Sequence, residues 1–581
     1  MKKSVKKIGI CLSMIFVITL VSSFFIQAEE LTPAEFLGLS TKGKLEYKTV
    51  KIWEAGPNIG MIGSVLEKET YENFDELMDT GNSYLAMIMY NLTLFQLAHP
   101  KVEVKGISFG FWGEHGLENL LTSLAGGVEG SVGSYPLHAA GTPAVYIDEG
   151  LVADITDVFE EGDYLKYIDT SNSNVMANWK TAQKDGRIYG IPTSGAGGKF
   201  VKFRKDFFKE AGIFNEKGEP GPPVSWTWQD LREMAKKLTD VKKQRWGVAL
   251  GVKGATTRGA LSYFYAYLFS RGLSGYHAFQ IPDKSGKYTW RFANIPELRD
   301  ALQFLRDWKF EDKSVLTGIE YTAGNSRNDV NAGRAAMNLH CQWNWLLGIY
   351  KQKPYLFDPE IPSTEFLGFA TNPKDGQYGL RFNPGGWGIN GFNPLYDKEQ
   401  LKAELDWYEW LHSGEGRRLL VEEGNQRIKL GVPQMWQYIF MLPGAPGIAW
   451  KFQGSVPRGT PTWEEFAPKE VREVIAYNDQ IPICEQLCMD SGFLGKGYTD
   501  FFFVVNNLLG SILTDPNTTV QEAMDKAEEV ANAGPFKMKL KDSEENLKTF
   551  YEGLDTFYKE YYPEFYQNKW QELYENYYRL D

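Results

Sequence analysis

Several classes of protein are excluded by what this chain lacks. It has four cysteines in 581 residues, and Cys11 falls inside an apolar N-terminal run. Cys341, Cys484 and Cys488 remain, an odd set that leaves at least one thiol unpaired and rules out a disulfide framework. Cys484 and Cys488 are close enough in sequence to pair, but no His stands near them. A zinc site is therefore disfavoured against ordinary packed thiols. Basic charge is in deficit: 62 Lys and Arg against 74 Asp and Glu give a net charge of −12. A polyanion needs a basic footprint, so nucleic acid is excluded as a partner. No His-Glu-x-x-His, P-loop or EF-hand pattern occurs, and neither a metal nor a cofactor is expected. After Ile26 no segment is apolar enough to span a bilayer.

The start of the chain is informative. "MKKSVKKIGICLSMIFVITLVSSFFIQAEE" has a Lys-rich head, an apolar stretch and a small residue, Ala28, before two acidic ones. This is the layout of a secretory leader cleaved after Ala28, with an uncleaved anchor as the other reading. Cys11 is too early for a lipid-attachment cysteine, so an untethered exported protein is expected. At 581 residues the remainder is too long for one core. Aromatics are abundant, with 17 Trp, 31 Tyr and 36 Phe. Rings build cores, but they also offer flat faces to ligands.

Periodicity alternates between strand and helix. "YKTVKIW", "HPKVEVKGISFGFW", "SVGSYP", "GRIYGIPTS", "RWGVAL" and "AAMNLHCQW" read as strands. "EHGLENLLTSLAGG" reads as a helix stopped by Gly126 and Gly127. In "PPVSWTWQDLREMAKKLTD" Thr227 is the expected N-cap and Asp230 its capping-box partner, with Leu231, Met234, Ala235 and Leu238 on one apolar face. Such alternation predicts α/β architecture with largely parallel sheets. The C-terminal segment is helical, with Phe550, Leu554, Phe557, Tyr558 and Tyr561 on one face. Pro563 breaks the run, and Tyr566, Trp570, Leu573, Tyr574 and Tyr577 form a second face.

Six stretches, in order, resemble the extracellular solute-binding proteins of sugar-importing ABC transporters. They are "LENLLTSLAGGVEGSVGSYP", "YIDEGLVADITD", "KDGRIYGIPTSGAGGKFVKFRKDFFKEAGI", "PPVSWTWQDLREMAKKLT", "VNAGRAAMNLHCQWNW" and "NPGGWGIN". The resemblance covers roughly residues 45 to 445 and weakens to 535. It implies a two-lobed periplasmic-binding-protein fold, each lobe a mostly parallel sheet flanked by helices, with hinge strands between. It places lobe one at 45–190 plus 388–440 and lobe two at 191–387 plus 441–535. The crossings fall near Gly190–Ser194 and Asn383–Gly388. Residues 536–581 are expected to form a helical, aromatic-rich extension packed on lobe two. The implied partners are a carbohydrate ligand and the transmembrane permease, with the chain acting as a monomer and not as an enzyme.

The resemblance also focuses the choice of ligand-binding residues. Trp343 follows Met337 as the stacking Trp follows the strand Met in the family, with Trp345 as its core partner. Trp387 sits among glycines in "NPGGWGIN", where backbone can bend and pass close to a ligand; a core ring is the other reading. Tyr135 and His138 follow the small-residue turn of lobe one. Trp53 and Glu54 end the first strand, at the edge where open α/β sheets bind ligands. Trp112 and Glu114 end the next similarly, with Trp112 equally suited to the core. Arg381 precedes the hinge and could pair a carboxylate, internal or on an acidic sugar. Trp226, Trp228, Trp407 and Trp410 are read as structural. Two other readings stay open: a secreted carbohydrate-active hydrolase or lyase, and the same binding fold for a non-sugar ligand such as a peptide, polyamine or phosphorylated compound. If the leader is cleaved as read, mass spectrometry of the exported chain will find Glu29 at its N-terminus; an intact apolar segment would support the anchor.

Overall fold

The computed structural model describes residues 50–54, most of 94–252, 280–342, 367–375, 389–430, 441–479 and 507–533, and parts of 552–575. The leader, Cys484 and Cys488 lie outside these residues. Among the described residues no helix is long and apolar enough to cross a membrane.

Two groups of strands organise the molecule. In the first, β1 (Val50–Glu54) pairs in parallel with β2 (Val102–Gly106). A second, antiparallel sheet has β14 (Ile389–Gly391) at its centre, between β3 (Tyr135–Pro136) and β6 (Ile191–Pro192). Between β3 and β6 the chain makes a small hairpin, β4 (Gln183–Lys184) and β5 (Arg187–Ile188). Its turn residues Asp185 (φ 52°) and Gly186 (φ 74°) are both left-handed, the backbone a two-residue hairpin demands. "GRIYGIPTS" thus resolves into two short strands, β5 and β6. The helix Lys398–His412 packs on β1 and on the helix Thr156–Glu161, and Trp407 and Trp410 are fully buried in this core.

The second group is a five-stranded sheet in the order β11 (Val315–Leu316), β8 (Trp246–Ala249), β12 (Ala335–Gln342), β7 (Lys199–Arg204), β13 (Leu367–Ala370). Parallel pairing is confined to β11–β8–β12; β7 alone runs against the other four strands and pairs antiparallel with both β12 and β13. The sheet is therefore mixed. Its antiparallel half is made of the strand that enters from the first group and the strand that precedes the return to it. A separate antiparallel ribbon pairs β9 (Gln280–Pro282) with β10 (Tyr288–Trp290). The helix Val520–Asn532 packs on β10 and on the helix Pro296–Phe310.

Local rules account for the elements that were read from pattern. The helix Gly116–Gly126 ends on Gly127 at φ 58°, the left-handed C-terminal stop. The helix Trp228–Leu238 carries the Thr227/Asp230 capping box and buries Leu231, Met234, Ala235 and Leu238. It lies so close to β8 that a Cβ on Gly247 would stand 2.1 Å from the Ala235 carbonyl oxygen. In the C-terminal segment Pro563 opens the helix Pro563–Phe565, the first-turn position where its missing N–H costs nothing. Tyr558 and Trp570, one from each side of that proline, are fully buried with ring centroids 4.6 Å apart. The Trp570 indole donates to Asp555, whose carboxyl is raised by burial.

Two substitutions test this packing by urea unfolding. Gly247→Ala forces helix and strand backbones apart and should cost about 1–3 kcal/mol. Thr227→Ala removes one cap and should cost about 1 kcal/mol with the fold retained.

Candidate functional site

The pairing registers gather the strand ends that carry the aromatic candidates. Asn390 pairs with Pro136 and Ile389 with Pro192. The end of β3, the start of β14 and the end of β6 therefore share one edge of the small sheet. That edge leads in sequence to His138, back to Trp387, and onward to β7. In the large sheet Gln342 pairs with Lys199 and Ala370 with Val201. β12 and β13 thus end beside the start of β7, and Trp343 is the next residue after β12. The ends that carry Trp343, Trp387 and His138 all border the passage from β6 to β7. The residues Trp343, Trp387, His138 and Arg381 themselves lie outside the described residues. Trp53 and Glu54 close β1, opposite Lys105 and Gly106 of its parallel partner, at the C-terminal edge expected for them; their backbone alone is described.

Tyr135 is placed differently from the expectation of a ligand contact. It is fully buried, its hydroxyl donates to the Leu151 carbonyl, and its ring lies 5.8 Å from that of Tyr146. Burial, and then the neighbouring Tyr146, raise its hydroxyl well above the ordinary phenol. Its side chain packs in a core cluster with Leu137, Tyr146 and Ile389.

The crossing itself has almost no free volume. A Cβ on Gly190 would meet the Asn390 carbonyl oxygen at 2.9 Å and side-chain atoms of Ile389 and Leu137 at 3.0 Å, so only glycine fits. The Trp179 indole donates to the Gly190 carbonyl at 2.8 Å. Asn390 donates from its side-chain amide to the Tyr408 hydroxyl, and Ser134 lies 3.0 Å from the same oxygen. One buried tyrosine thus joins β3, β14 and the helix Lys398–His412. Behind it, the His412 ring stacks between Tyr408, at 5.7 Å and 10°, and Trp450, at 6.1 Å and 24°. The Trp450 indole donates to the Pro192 carbonyl of β6. Desolvation, with a smaller contribution from the Arg417 charge, lowers the His412 imidazole to about 3.

Sequence reasoning did not single out His412, Arg417 or Trp450. A signal was present: in the helix Glu415–Leu430, Arg417 shares its helical face with Leu420 and Val421, an arginine on an apolar stripe. Among the described residues no group of three or more His, Cys, Asp and Glu could hold a metal ion.

Comparison with known proteins places the chain. Residues 75–409 match the model of the bacterial extracellular solute-binding protein family; the chain belongs to that family. No curated protein sequence matches it. Among solved structures it is similar to UgpB from Mycobacterium tuberculosis in complex with glycerophosphocholine, at 15% identity and a TM-score of 0.51, over 83% of this chain and 97% of that one. It is also similar to maltose-bound T. maritima MalE3, at 18% identity and a TM-score of 0.49, over 82% and 98% of the two chains. A third is an ABC substrate-binding protein from Listeria monocytogenes in complex with cycloalternan, at 17% identity and a TM-score of 0.49, over 77% and 95%. The fold is accordingly α/β and two-lobed.

The His412 environment predicts a pH dependence. Its folded pKa is about 3 against an ordinary 6.5. Between those values the unfolded chain binds the proton and the folded chain does not, so stability falls as pH falls through that window. The denaturation midpoint should be lower near pH 5 than near pH 7, and His412→Phe should flatten the difference; an unchanged slope in the variant would assign the acid sensitivity elsewhere.

Proposed function

We propose that the chain is the extracytoplasmic substrate-binding component of an ABC importer. It takes a sugar, oligosaccharide or polyol between its lobes and presents it to the permease. The observation that carries this reading is the family match over residues 75–409. Two α/β lobes linked through β6, β7 and β14 support it, because clefts between lobes are where such folds take ligands. Trp343, Trp387 and His138, with Trp53, Glu54 and Arg381, are the residues proposed to form the contacts. Flat rings suit the C–H face of a sugar, and polar side chains suit its hydroxyls. Export through the N-terminal leader and action as a free monomer belong to the same reading.

The mechanism is one of population shift. Ligand settles on one lobe of an open form, the lobes rotate about the crossing, and contacts made only in the closed form hold them there. The permease then reads closure as the signal of loading. Catalysis has no part in this cycle.

A thermal-shift panel tests the reading with maltose, maltotriose, cyclic glucans, mannitol and glycerophosphocholine, and with spermidine and a peptide as controls. Ligand at a hundred times its dissociation constant stabilises the native state by about 2.7 kcal/mol. A shift with one carbohydrate class, recovered intact, is the expected result. Trp343→Ala should then weaken that ligand by about tenfold or more. A shift confined to the controls, or breakdown of a glycan, would overturn the sugar-binding reading.

A further inference from the structure

The exit of β13 is tied to a distant part of the chain. Trp226 is buried at 2% exposure, and its indole donates to the Thr371 carbonyl at 2.9 Å. The Thr371 hydroxyl donates to the Val224 carbonyl at 3.2 Å. The Lys374 N–H donates to the Trp226 carbonyl at 2.9 Å. The Trp228 N–H donates to Asp375 Oδ1 at 3.1 Å, across 147 positions of sequence. Thr371, Lys374 and Asp375 are thus each bonded to residues 224–228.

The Asp375 bond is more than a cap. First-turn N–H groups of a helix have no partner inside it, and a carboxylate beside them is favourable. The helix Trp228–Leu238 already carries its own capping box from Thr227 and Asp230. Asp375 follows β13, the edge strand, whereas the helix packs mainly on β8, with β12 and β7 between the two. What the contact adds is a fixed course for the residues that leave β13.

Those residues lead to the ligand candidates. After Asp375 the chain carries Arg381 and Trp387 and enters β14 at Ile389, passing from the five-stranded sheet to the three-stranded one. The exit of β13 shares an edge with that of β12, which leads to Trp343. Each residue freed from these bonds would lengthen the reach of the stretch by about 3.3–3.6 Å, whereas a binding site has to be held to within about 0.5 Å.

We propose that Trp226 and Asp375 are positioning residues for the ligand site: they latch the exit of β13 to the start of the helix Trp228–Leu238 and fix where the stretch carrying Arg381 and Trp387 sets out. The proposal rests on the binding reading for the role of Arg381 and Trp387, but its test needs no ligand. Fluorotryptophan is incorporated into the ligand-free full chain, and the Trp387 fluorine resonance is identified as the one lost in Trp387→Phe. Asp375→Ala removes the carboxylate, and Trp226→Phe removes the indole donor while keeping a ring. Thr227→Ala weakens the same helix end and leaves the latch in place. The expected result is a shifted or broadened Trp387 resonance in both latch variants and an unmoved one in Thr227→Ala. An unmoved resonance in Asp375→Ala, or an equal change in Thr227→Ala, would overturn the proposal and make the contact a helix cap alone. If Trp226→Phe does not fold, Asp375→Ala decides by itself. A failed carbohydrate panel would remove the sugar reading and leave this result standing; an unmoved resonance would remove the latch and leave the sugar reading standing.

Discussion

The molecule depends on a constriction. Its polypeptide leaves one lobe and comes back through a sheet whose strands are two or three residues long, β3, β14 and β6. Such strands contribute few ladder bonds of their own. Their positions are held by what surrounds them: the absent side chain at Gly190, the indoles of Trp179 and Trp450 on carbonyls of that passage, and the Tyr408 hydroxyl shared by Asn390 and Ser134. Buried polar networks that are fully partnered specify one arrangement, because every alternative strands a donor or an acceptor. Rigid lobes on either side can therefore move as bodies while the connecting backbone keeps its register.

The parts of the fold that were legible in sequence are those set by local rules. The Thr227 cap, the glycine stop after the helix Gly116–Gly126 and the buried stripe Leu231, Met234, Ala235 and Leu238 each need only a few neighbouring residues to act. β1, β2, β8 and β12 were visible as runs of suitable residues. The mixed direction of the large sheet was not, since strand direction is decided by connections and not by composition. Nor was the division of "GRIYGIPTS" into two strands, which follows from contacts that Gly190 makes with residues roughly two hundred positions away. The candidate site was legible as a set of strand ends. Tyr135 shows the limit: its neighbours in sequence suggested a cleft, while its partners Leu151 and Tyr146 draw it inward.

The abundance of aromatic residues divides between two roles. Trp226, Trp228, Trp308, Trp407, Trp410, Trp450 and Trp570 are among the largest fully buried side chains. Much of the tryptophan content therefore fills the interior of the molecule. Composition alone cannot separate these rings from those free to meet a solute; strand registers can, because they say which rings follow a strand end and which lie beneath a helix.

The packing of β1 against the distant helix Lys398–His412 has a consequence for how the chain acquires its structure. The strands of the five-stranded sheet all lie between Lys199 and Ala370, one continuous stretch. β1, in contrast, packs against the helix Lys398–His412, and Ile168 bridges to Trp450. Contacts between distant parts of a chain form slowly, because the loop between them must close first. The five-stranded sheet can pair from its own residues as soon as they are available. The core around β1 must wait for the helix Lys398–His412, with its apolar strands uncovered meanwhile. The middle of the chain is then the template on which its two flanks are brought together, and the exposed early strands are where aggregation would compete with folding.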